Sequence, residues 1–474
     1  MVTIKKRIAL MLVVFVMLAI TACGTTAPET PSEPVSPPVS SETEEEAPEV
    51  LEEEEQEVEE PTSAEEWPAV TIEYWHINND TFGGPTIDEM VAEFNATNGK
   101  NITVVDKYIP DVYTGVAQNL QASLAAGIYP GVVQVGYVYL NYFAENFPQF
   151  TDPKTIVEKY APEDAGFLEE NYSEAVLALG TSINGRTLGL PYSVSTPLMY
   201  YNADLFREAG LDPENPPKTW DEVRAAAEAI KEATGNYGLY LQAPTDTYSV
   251  IPMMLSNGLE SMYKVNDDGT YEAAFNTPET VEAWTFLQKL TQDGLNIHVP
   301  LEEGVGAFAG GTVGMMITTS GRINYLSQNT DFDVRATKSP SWGDKDLKVC
   351  IGGNLLVVVS ETDDEIRASW EWLKFLFKPD SISAWVKGTG YLPPTKTATE
   401  STEMQEYLSS NQMAKVAYEQ LLENAVAWTS WPGPNGLQVD QFLVDMRDAI
   451  LANNEDVQEA VTDAETKINN MLNP

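Results

Sequence analysis

Cysteine, histidine and basic side chains are scarce in this sequence of 474 residues. Two cysteines and two histidines are too few for a zinc cluster or a disulfide-stabilised scaffold. Lys and Arg number 27 against 72 Asp and Glu, which gives a formal net charge of −45 at pH 7. A surface of that sign repels phosphate backbones and argues against nucleic-acid binding. The sequence also lacks a Gly-x-Ser-x-Gly motif, which leaves little support for a Ser-His-Asp hydrolase.

Apolar residues, in contrast, are present at the level of ordinary globular proteins. They make up 43% of the chain, close to the usual 45–50% or so. The chain is therefore able to bury a sizeable core, and its length predicts two or three domains. Cys350 lies in an apolar run between Val349 and Ile351, and we expect it to be a small buried hydrophobic residue.

The N-terminus carries a short apolar segment. A basic stretch at residues 5–7 precedes 13 apolar residues at 8–20, a length typical of signal peptides and too short for a membrane-spanning helix. Residues 18–23, Leu-Ala-Ile-Thr-Ala-Cys, resemble the bacterial lipobox. We therefore expect residues 1–22 to be a lipoprotein signal peptide and Cys23 to anchor the protein at the extracytoplasmic face of the cell membrane. The alternative is an ordinary signal peptide followed by an incidental cysteine.

Residues 23–67 form a low-complexity segment. Between residues 24 and 67 there are sixteen glutamates and seven prolines, without a single Lys, Arg or Asp. This composition offers too few apolar side chains to form a core, and its charges repel one another. We expect a disordered acidic linker that tethers a folded domain to the membrane, with a specific acidic interaction tail as the alternative.

Strand-like and helix-like patterns alternate over the remaining chain. Residues 70–74 alternate with period two, and residues 132–135 form a short apolar run. Thr219 and Glu222 have the spacing of a capping box, which predicts a helix that ends at Gly235. The alternation predicts an α/β architecture with mainly parallel sheets. Because about 400 residues are too many for one sheet, we expect two lobes.

Aromatic side chains occur where no helix stripe accounts for them. Tyr137, Tyr139 and Tyr142 follow the third predicted strand, and Trp428 and Trp431 flank a Pro-Gly-Pro-Asn-Gly loop. Loop aromatics suit stacking against sugars or other ring-shaped solutes, although any one of them could equally serve packing. As a set, they favour a binding cleft.

Several segments, in order along residues 70–474, resemble extracellular solute-binding protein family 1, the sugar-binding lipoproteins of bacterial ABC importers that include maltose-binding protein. These segments are Ile72-Glu-Tyr-Trp-His76, Pro130-Gly-Val-Val-Gln-Val135, residues 189–206 (Gly-Leu-Pro-Tyr-Ser-Val-Ser-Thr-Pro-Leu-Met-Tyr-Tyr-Asn-Ala-Asp-Leu-Phe), Thr219-Trp-Asp-Glu222, Gly314-Met-Met-Ile-Thr318, Gly352-Gly353 and Gly388-Thr-Gly-Tyr-Leu-Pro-Pro394.

The resemblance implies a two-lobe periplasmic-binding-protein (Venus-flytrap) fold whose lobes close about hinge crossovers. The implied N-terminal lobe comprises 68–192 with 354–378, and the implied C-terminal lobe comprises 193–353 with 379–474. The chain is expected to cross between the lobes near residues 190–194, 353 and 377–381.

The resemblance also implies a function without chemistry. A carbohydrate, specifically an oligosaccharide, would be captured between the lobes and delivered to the permease subunits of an ABC importer. Neither catalysis, cofactor nor metal is expected, and the protein should be a monomer. Two alternatives stay open, a secreted carbohydrate-active hydrolase and a binding protein that serves a sensory receptor.

The family pattern further implies a set of ligand-binding residues in the loops that face the cleft. They are His76, Asn79, Asp80, Gln134, Tyr137, Tyr192, Ser195, Asp246, Tyr248, Arg322, Gly353, Asn354, Trp428 and Trp431.

One segment departs from the family pattern. After the Met-Met-Ile-Thr strand the family usually carries Gly-Ser-Trp, whereas residues 319–322 here read Thr-Ser-Gly-Arg. Either Tyr325, Trp428 or Trp431 replaces the missing indole, or Arg322 enters the cleft. An arginine in the cleft would suit an anionic solute such as a sugar phosphate or a uronate.

Overall fold

A computed structural model describes residues 67–242 and 247–472. The expected signal peptide, Cys23 and the acidic linker lie outside the described residues, as does Asp246. Within the described ranges, every helix is too short or too polar to cross a membrane.

The strands form two mixed sheets and one hairpin. Their bounds are β1 Val70–His76, β2 Ile102–Tyr108, β3 Gly131–Gly136, β4 Leu190–Ser195, β5 Pro197–Asn202, β6 Tyr237–Leu241, β7 Tyr263–Val265, β8 Tyr271–Ala273, β9 Asn296–Ile297, β10 Val313–Thr319, β11 Val334–Lys338, β12 Val349–Val359 and β13 Ala425–Ala427.

Helices cover both sheets. Their bounds are α1 Gly84–Thr97, α2 Val112–Ala125, α3 Leu140–Asn146, α4 Pro153–Thr155, α5 Phe167–Asn171, α6 Glu174–Leu177, α7 Ala203–Glu208, α8 Trp220–Thr234, α9 Val250–Ser256, α10 Pro278–Gln292, α11 Leu301–Ala309, α12 Ile323–Asn329, α13 Asp363–Leu376, α14 Pro379–Thr389, α15 Lys396–Thr399, α16 Thr402–Ser410, α17 Gln412–Asn424, α18 Gly436–Leu451 and α19 Val457–Leu472. Short 3-10 turns include Tyr137–Tyr139, Ala178–Gly180 and Ser320–Arg322, and Ile156–Tyr160 is a π-helical turn.

The first sheet has the strand order β13-β12-β3-β1-β2, with β4 also paired to β12. β1 lies parallel to β2 and β3, whereas β12 runs antiparallel to β3 and β4. The buried faces of its central strands are nearly continuous apolar runs, as expected for a sheet covered on both sides.

The second sheet has the order β11-β5-β10-β6-β9. β10 is parallel to β6 and antiparallel to β5, and β5 is also antiparallel to β11. The sheets are thus mixed rather than mainly parallel, because β5 is antiparallel to β10 and β11, and β12 is parallel to β13 but antiparallel to β3 and β4.

Local sequence signals predicted several helices correctly. Thr219 and Glu222 form the expected capping box at the start of α8, and Gly235 ends that helix in the left-handed conformation with φ 75°. The Thr side chain and the Glu side chain satisfy backbone N–H groups that the first helical turn leaves without partners. A second capping box, Thr362 with Glu365, begins α13.

The chain passes from the first sheet to the second at Thr196. β4 ends at Ser195 and β5 begins at Pro197, so one residue separates strands that belong to different sheets. The molecule thus consists of two α/β lobes, each built around its own sheet. Cys350 lies fully buried in β12, as the apolar run predicted.

Candidate functional site

A small cavity lies where elements of the two sheets meet, and we call it the central cavity. Its volume is about 30 Å³, room for about two water molecules. It is lined by Phe82, Val112, Tyr113, Ser195, Gln242, Tyr248, Leu301, Thr319, Arg322, Gly353, Tyr391 and Trp428.

Strand ends supply much of the cavity wall. Ser195 is the last residue of β4, Thr319 is the last residue of β10, and Gln242 directly follows β6. The carboxyl ends of strands are where open α/β sheets place ligands. The cavity therefore lies where the fold favours a binding site.

Two adjacent glycines in β12 allow side chains to approach its backbone. A Cβ atom on Gly352 would lie 2.4 Å from the ring of Tyr248, and one on Gly353 would lie 1.8 Å from the carbonyl oxygen of Ser193. Gly353 also has φ 115°, which disfavours any residue with a side chain. These glycines are therefore required for the packing of Tyr248 and β4 around the cavity.

Arg322 contributes the only charged side chain among the described residues that line the central cavity. Its Nη1 donates hydrogen bonds to Thr81, to the carbonyl oxygen at 3.0 Å and to Oγ1 at 3.1 Å. Its Nη2 donates to Glu302 Oε1 at 2.6 Å, and its guanidinium lies 4.4 Å from the ring centre of Phe82. The side chain is 1% exposed, and its Nε is buried without a hydrogen-bond partner among the described residues.

The Arg322 contacts connect the two lobes. Thr81 lies in the loop between β1 and α1 of the first lobe, whereas Arg322 follows β10 of the second sheet. Thr81 Oγ1 also lies 3.1 Å from Glu302 Oε2, so Arg322, Thr81 and Glu302 form one polar cluster. Glu302 remains 49% exposed, and water screens its interaction with the arginine.

Aromatic rings and hydroxyl groups form most of the remaining wall. The rings of Tyr248 and Trp428 lie 5.0 Å apart, and Tyr248 shares a 3.1 Å hydrogen bond with Ser195 Oγ. The hydroxyl groups of Tyr113 and Tyr391 lie 3.4 Å apart. The cavity thus combines one cation with stacking surfaces and neutral hydrogen-bonding groups, which suits a polar solute.

The structure brings five of the sequence-predicted residues to the central cavity. They are Ser195, Tyr248, Arg322, Gly353 and Trp428. Asn354 lies next to the cavity, where its Nδ2 donates to Tyr113 Oη at 3.1 Å and to Ser193 Oγ at 3.0 Å.

Three predicted residues hold the loop after β1 in place. Gln134 donates to Tyr74 Oη at 2.7 Å and to Asn78 Oδ1 at 3.0 Å. His76 accepts a hydrogen bond from the backbone N–H of Asn78 at 3.2 Å, and Asn79 accepts from Thr81. Burial lowers the pKa of His76 to about 4, against the opposing attraction of Asp106.

The other predicted residues lie apart from the central cavity. Asp80 is exposed and borders a separate cavity of about 150 Å³ beside Asn324 and Tyr325. Tyr192 is buried and stacks on Trp385 of α14 with ring centres 5.2 Å apart. Trp431 is buried against Tyr263 at 5.3 Å. Tyr137 lines another cavity, which it shares with Trp428.

Several cavity residues escaped sequence reasoning. Phe82, Tyr113 and Leu301 gave no signal in the sequence, because their neighbours along the chain are unrelated to their neighbours in space. Tyr391 stands inside the Gly-Thr-Gly-Tyr-Leu-Pro-Pro segment, and Thr319 directly follows the Met-Met-Ile-Thr segment. Tyr391 could have been selected from within its segment, and Thr319 by extending its segment by one residue to the end of the strand.

A buried carboxylate lies beside the loop that carries Tyr248. Asp440 in α18 accepts hydrogen bonds from Tyr139 Oη at 3.3 Å and from Thr247 Oγ1 at 3.4 Å. Burial raises the pKa of Asp440 to about 6, although these two hydrogen bonds and the charge of Arg447 oppose the shift. Among residues 67–242 and 247–472, His, Cys, Asp and Glu form no group that could hold a metal ion.

Comparison with known proteins places this geometry in a family. The profile of a bacterial extracellular solute-binding protein family matches residues 89–410. The sn-glycerol-3-phosphate-binding periplasmic protein UgpB of Salmonella typhimurium is 31% identical over 366 residues, which is 74% of this chain and 80% of that protein.

Solved structures of similar proteins share the fold. UgpB from Mycobacterium tuberculosis in complex with glycerophosphocholine has a TM-score of 0.72 at 21% identity, and the match covers 85% of this chain and 99% of that one. Maltose-bound MalE3 of T. maritima also has a TM-score of 0.72, at 19% identity, with 85% and 100% covered. The two-lobe fold is that of the periplasmic binding proteins.

Proposed function

The chain belongs to the bacterial extracellular solute-binding proteins, which serve ABC importers, and from this premise we propose that its solute is a small anionic, hydroxyl-bearing molecule of the glycerol phosphate class. The solute would be held in the central cavity, carried unchanged and released to the permease subunits of the importer. This proposal differs from the neutral oligosaccharide expected from sequence resemblance.

Arg322 is the observation that carries the proposal. A buried guanidinium with an unpartnered Nε is an unusual feature in a chain of net charge −45. Burying such a donor without an acceptor costs free energy. Guanidinium groups bind phosphate and carboxylate in a bidentate manner, so an anionic solute would supply the missing acceptor. The described lining residues include neither Asp nor Glu, so the solute would meet no repelling charge within the wall itself.

Glu302 would act as a counter-ion that the solute has to displace in part. It occupies Nη2 of Arg322, and at 49% exposure it is able to swing into solvent at small cost. The polyol part of the solute would then exchange hydrogen bonds, both as donor and as acceptor, with the hydroxyl groups of Ser195, Thr319 and Tyr248.

The relatives support the same solute class. The relatives that share about 30% identity over three quarters of this chain are named for sn-glycerol 3-phosphate, and a structural neighbour was solved with glycerophosphocholine. Both ligands combine a phosphate with hydroxyl groups. We assign that combination to this chain on the strength of Arg322.

The size of the central cavity implies a hinge motion. At about 30 Å³ it is too small for an organic solute, so the lobes must separate to admit one and then close. Thr196, the single residue between β4 and β5, is one hinge position. The lobe bounds implied by the resemblance, 68–192 with 354–378 and 193–353 with 379–474, place this crossover slightly earlier, whereas residues 193–195, 349–353 and 425–427 pair within the first sheet.

A neutral oligosaccharide is the second candidate. Phe82, Tyr113, Tyr248, Tyr391 and Trp428 give the cavity the aromatic faces that sugars stack on. Under this alternative Arg322 would remain paired to Glu302 in every state and would serve only to join the lobes.

Lipid anchoring is a further part of the proposal. Cys23 would carry the lipid, and residues 23–67 would be a flexible acidic tether between the membrane and the folded lobes. The measurement is membrane fractionation of wild-type protein and Cys23→Ala. Release of the variant into the soluble fraction supports the anchor, and equal partitioning of both proteins contradicts it.

The transport function itself is testable by scattering and recovery. A thermal-shift panel of sugar phosphates, glycerol phosphates, uronates and neutral sugars would identify a solute, and X-ray scattering would follow its titration. The radius of gyration should fall on saturation, and the solute should be recovered chemically unchanged. A constant radius of gyration would contradict the proposal. Turnover of the solute that is abolished by mutation of Glu302, the carboxylate beside the cavity, would also contradict it.

A further inference from the structure

A second cavity of about 290 Å³ lies beside β12, next to the central cavity. A Cβ on Gly352 would point at Tyr248 and Ser195 of the central cavity, whereas Ile351 lines the second cavity. Trp428 lines both cavities.

The described wall of the second cavity contains no charged side chain. It presents the aromatic rings of Tyr137, Tyr263 and Trp428 together with the amide of Asn141 and the hydroxyl of Ser430. Aromatic faces beside amide and hydroxyl groups are the chemistry that recognises neutral sugars and polyols. The volume is near the lower end of the range for small-molecule sites, about 300–1,000 Å³.

Two buried donors in this wall are unused. The hydroxyl of Tyr137 and the indole Nε1 of Trp428 are buried without hydrogen-bond partners among the described residues. Tyr137 is 4% exposed and Trp428 is 6% exposed. An unpaired buried donor costs free energy that a hydrogen-bond acceptor would recover. A hydroxylated ligand would supply acceptors for both.

The cavity is open to solvent, and hydrogen bonds fix one part of its wall. Ile183 at its rim is 49% exposed, and Ala178 beside it is also exposed. Asn141, which follows β3 of the first sheet, donates through its backbone N–H to Ser430 Oγ and through Nδ2 to the Ser430 carbonyl oxygen, both at 2.9 Å. These bonds hold the loop that carries Trp428.

We propose that the second cavity is a separate binding site for a neutral hydroxylated solute, of the size of a monosaccharide or small polyol. Its occupancy would be sensed at the central cavity through Trp428, whose other face meets Tyr248. Because coupling between binding sites is reciprocal, each solute would change the affinity of the other by the same factor. The site itself does not depend on the proposed function, whereas the coupling rests on it.

The test uses full-length protein labelled with 5-fluorotryptophan and a panel of glucose, galactose, maltose and glycerol. The fluorine resonance of Trp428, assigned with Trp428→Phe, should shift saturably with at least one member. Ala178→Tyr places a large side chain at the rim and should weaken that binding about tenfold or more. Ala175→Tyr, an equally exposed alanine of α6 outside the cavity wall, should bind as wild type does.

A second variant guards against misfolding of the first. Tyr137→Phe removes only the unpartnered hydroxyl, so the fold should persist while binding of the same sugar weakens several-fold. The proposal is overturned if no sugar of the panel shifts the Trp428 resonance, or if the shift persists undiminished in both Ala178→Tyr and Tyr137→Phe. If the wild-type protein binds a sugar of the panel but does not bind sn-glycerol 3-phosphate, the proposed function is refuted and this second site remains supported.

Discussion

The two cavities beside β12 share Trp428 and differ in charge. The central cavity is small, holds the buried cation of Arg322 and lies at the ends of strands from both sheets. The second cavity is about ten times larger in volume and presents only neutral polar and aromatic groups among its described residues. One fold thus offers a wall with a buried cation and a wall of neutral groups beside the same strand.

Removal of the Arg322 cation should reduce the difference in selectivity between the two cavities most strongly. Arg322→Gln should weaken binding of sn-glycerol 3-phosphate about 10- to 150-fold, which corresponds to the 1.5–3 kcal/mol or so of a charged hydrogen bond. Neutral sugars at the second cavity should be unaffected. Calorimetric titration measures both affinities, and Arg207→Gln, a surface ion-pair arginine, is the charge-matched control. Equal losses for the charged and neutral solutes would show that Arg322 only joins the lobes.

The pH dependence of the free energy of unfolding should report on Asp440, the buried carboxylate beside the loop that carries Tyr248. Asp440 has a native pKa of about 6, against about 3.9 when unfolded. Between these values the folded state holds a proton that the unfolded state has lost, so the free energy of unfolding falls as pH rises. The loss should be about 3 kcal/mol, since one pKa unit is worth about 1.36 kcal/mol, and it should be nearly complete about one unit above pH 6.

Denaturant titrations from pH 4 to pH 8 would measure this loss, and Asp440→Asn should remove it. His76 works in the opposite direction, because its pKa of about 4 makes stability fall as pH drops below about 6.5. His76→Gln is therefore the comparison variant. A pH profile of Asp440→Asn that overlays the wild type would contradict the assignment.

The shared tryptophan should affect both cavities together. Trp428→Ala removes a stacking partner of Tyr248 and a wall of the second cavity. Binding at each site should weaken about tenfold, from roughly 0.5–1.5 kcal/mol of stacking plus lost burial. Trp370→Ala serves as the control, since Trp370 is a buried indole that packs against Phe167 and lines neither cavity. If only one site loses affinity, the cavities are not joined by Trp428.

Glu302 should give the smallest effect and the opposite sign. Glu302→Gln frees Nη2 of Arg322 from a carboxylate and should strengthen binding of sn-glycerol 3-phosphate two- to fivefold or so, since exposed ion pairs contribute about 0.2–1 kcal/mol. Glu303→Gln makes the same charge change at the next, exposed residue and should leave affinity unchanged. Weaker binding in Glu302→Gln would mean that the carboxylate supports the site.

Sequence patterns were sufficient for local structure and for the fold. The capping box of α8 and the strands of residues 70–74 and 132–135 depend on residues close in the chain, and each was predicted. The relative direction of the strands was not predicted correctly, because strand pairing depends on contacts between distant segments of the chain. The ordering of β12 between β3 and β13 is an example.

The candidate site shows the same limit at the level of side chains. Arg322 was singled out because a family tryptophan was missing there, and the structure places it in the cavity wall. Nothing local, however, distinguishes Ser195, which faces the cavity, from Gln134, whose amide is occupied by Tyr74 and Asn78. Both lie in buried strands, and only the tertiary hydrogen-bond network separates them.

The most direct test of the account compares two solutes that differ by one phosphate. Wild-type protein is titrated calorimetrically with sn-glycerol 3-phosphate and, in parallel, with glycerol. The account predicts saturable binding of one sn-glycerol 3-phosphate per chain with an affinity at least a hundredfold above any glycerol affinity at the central cavity, because only the phosphate reaches Arg322. Equal affinities for the two solutes, or tight binding of maltose with no response to sn-glycerol 3-phosphate, would contradict it.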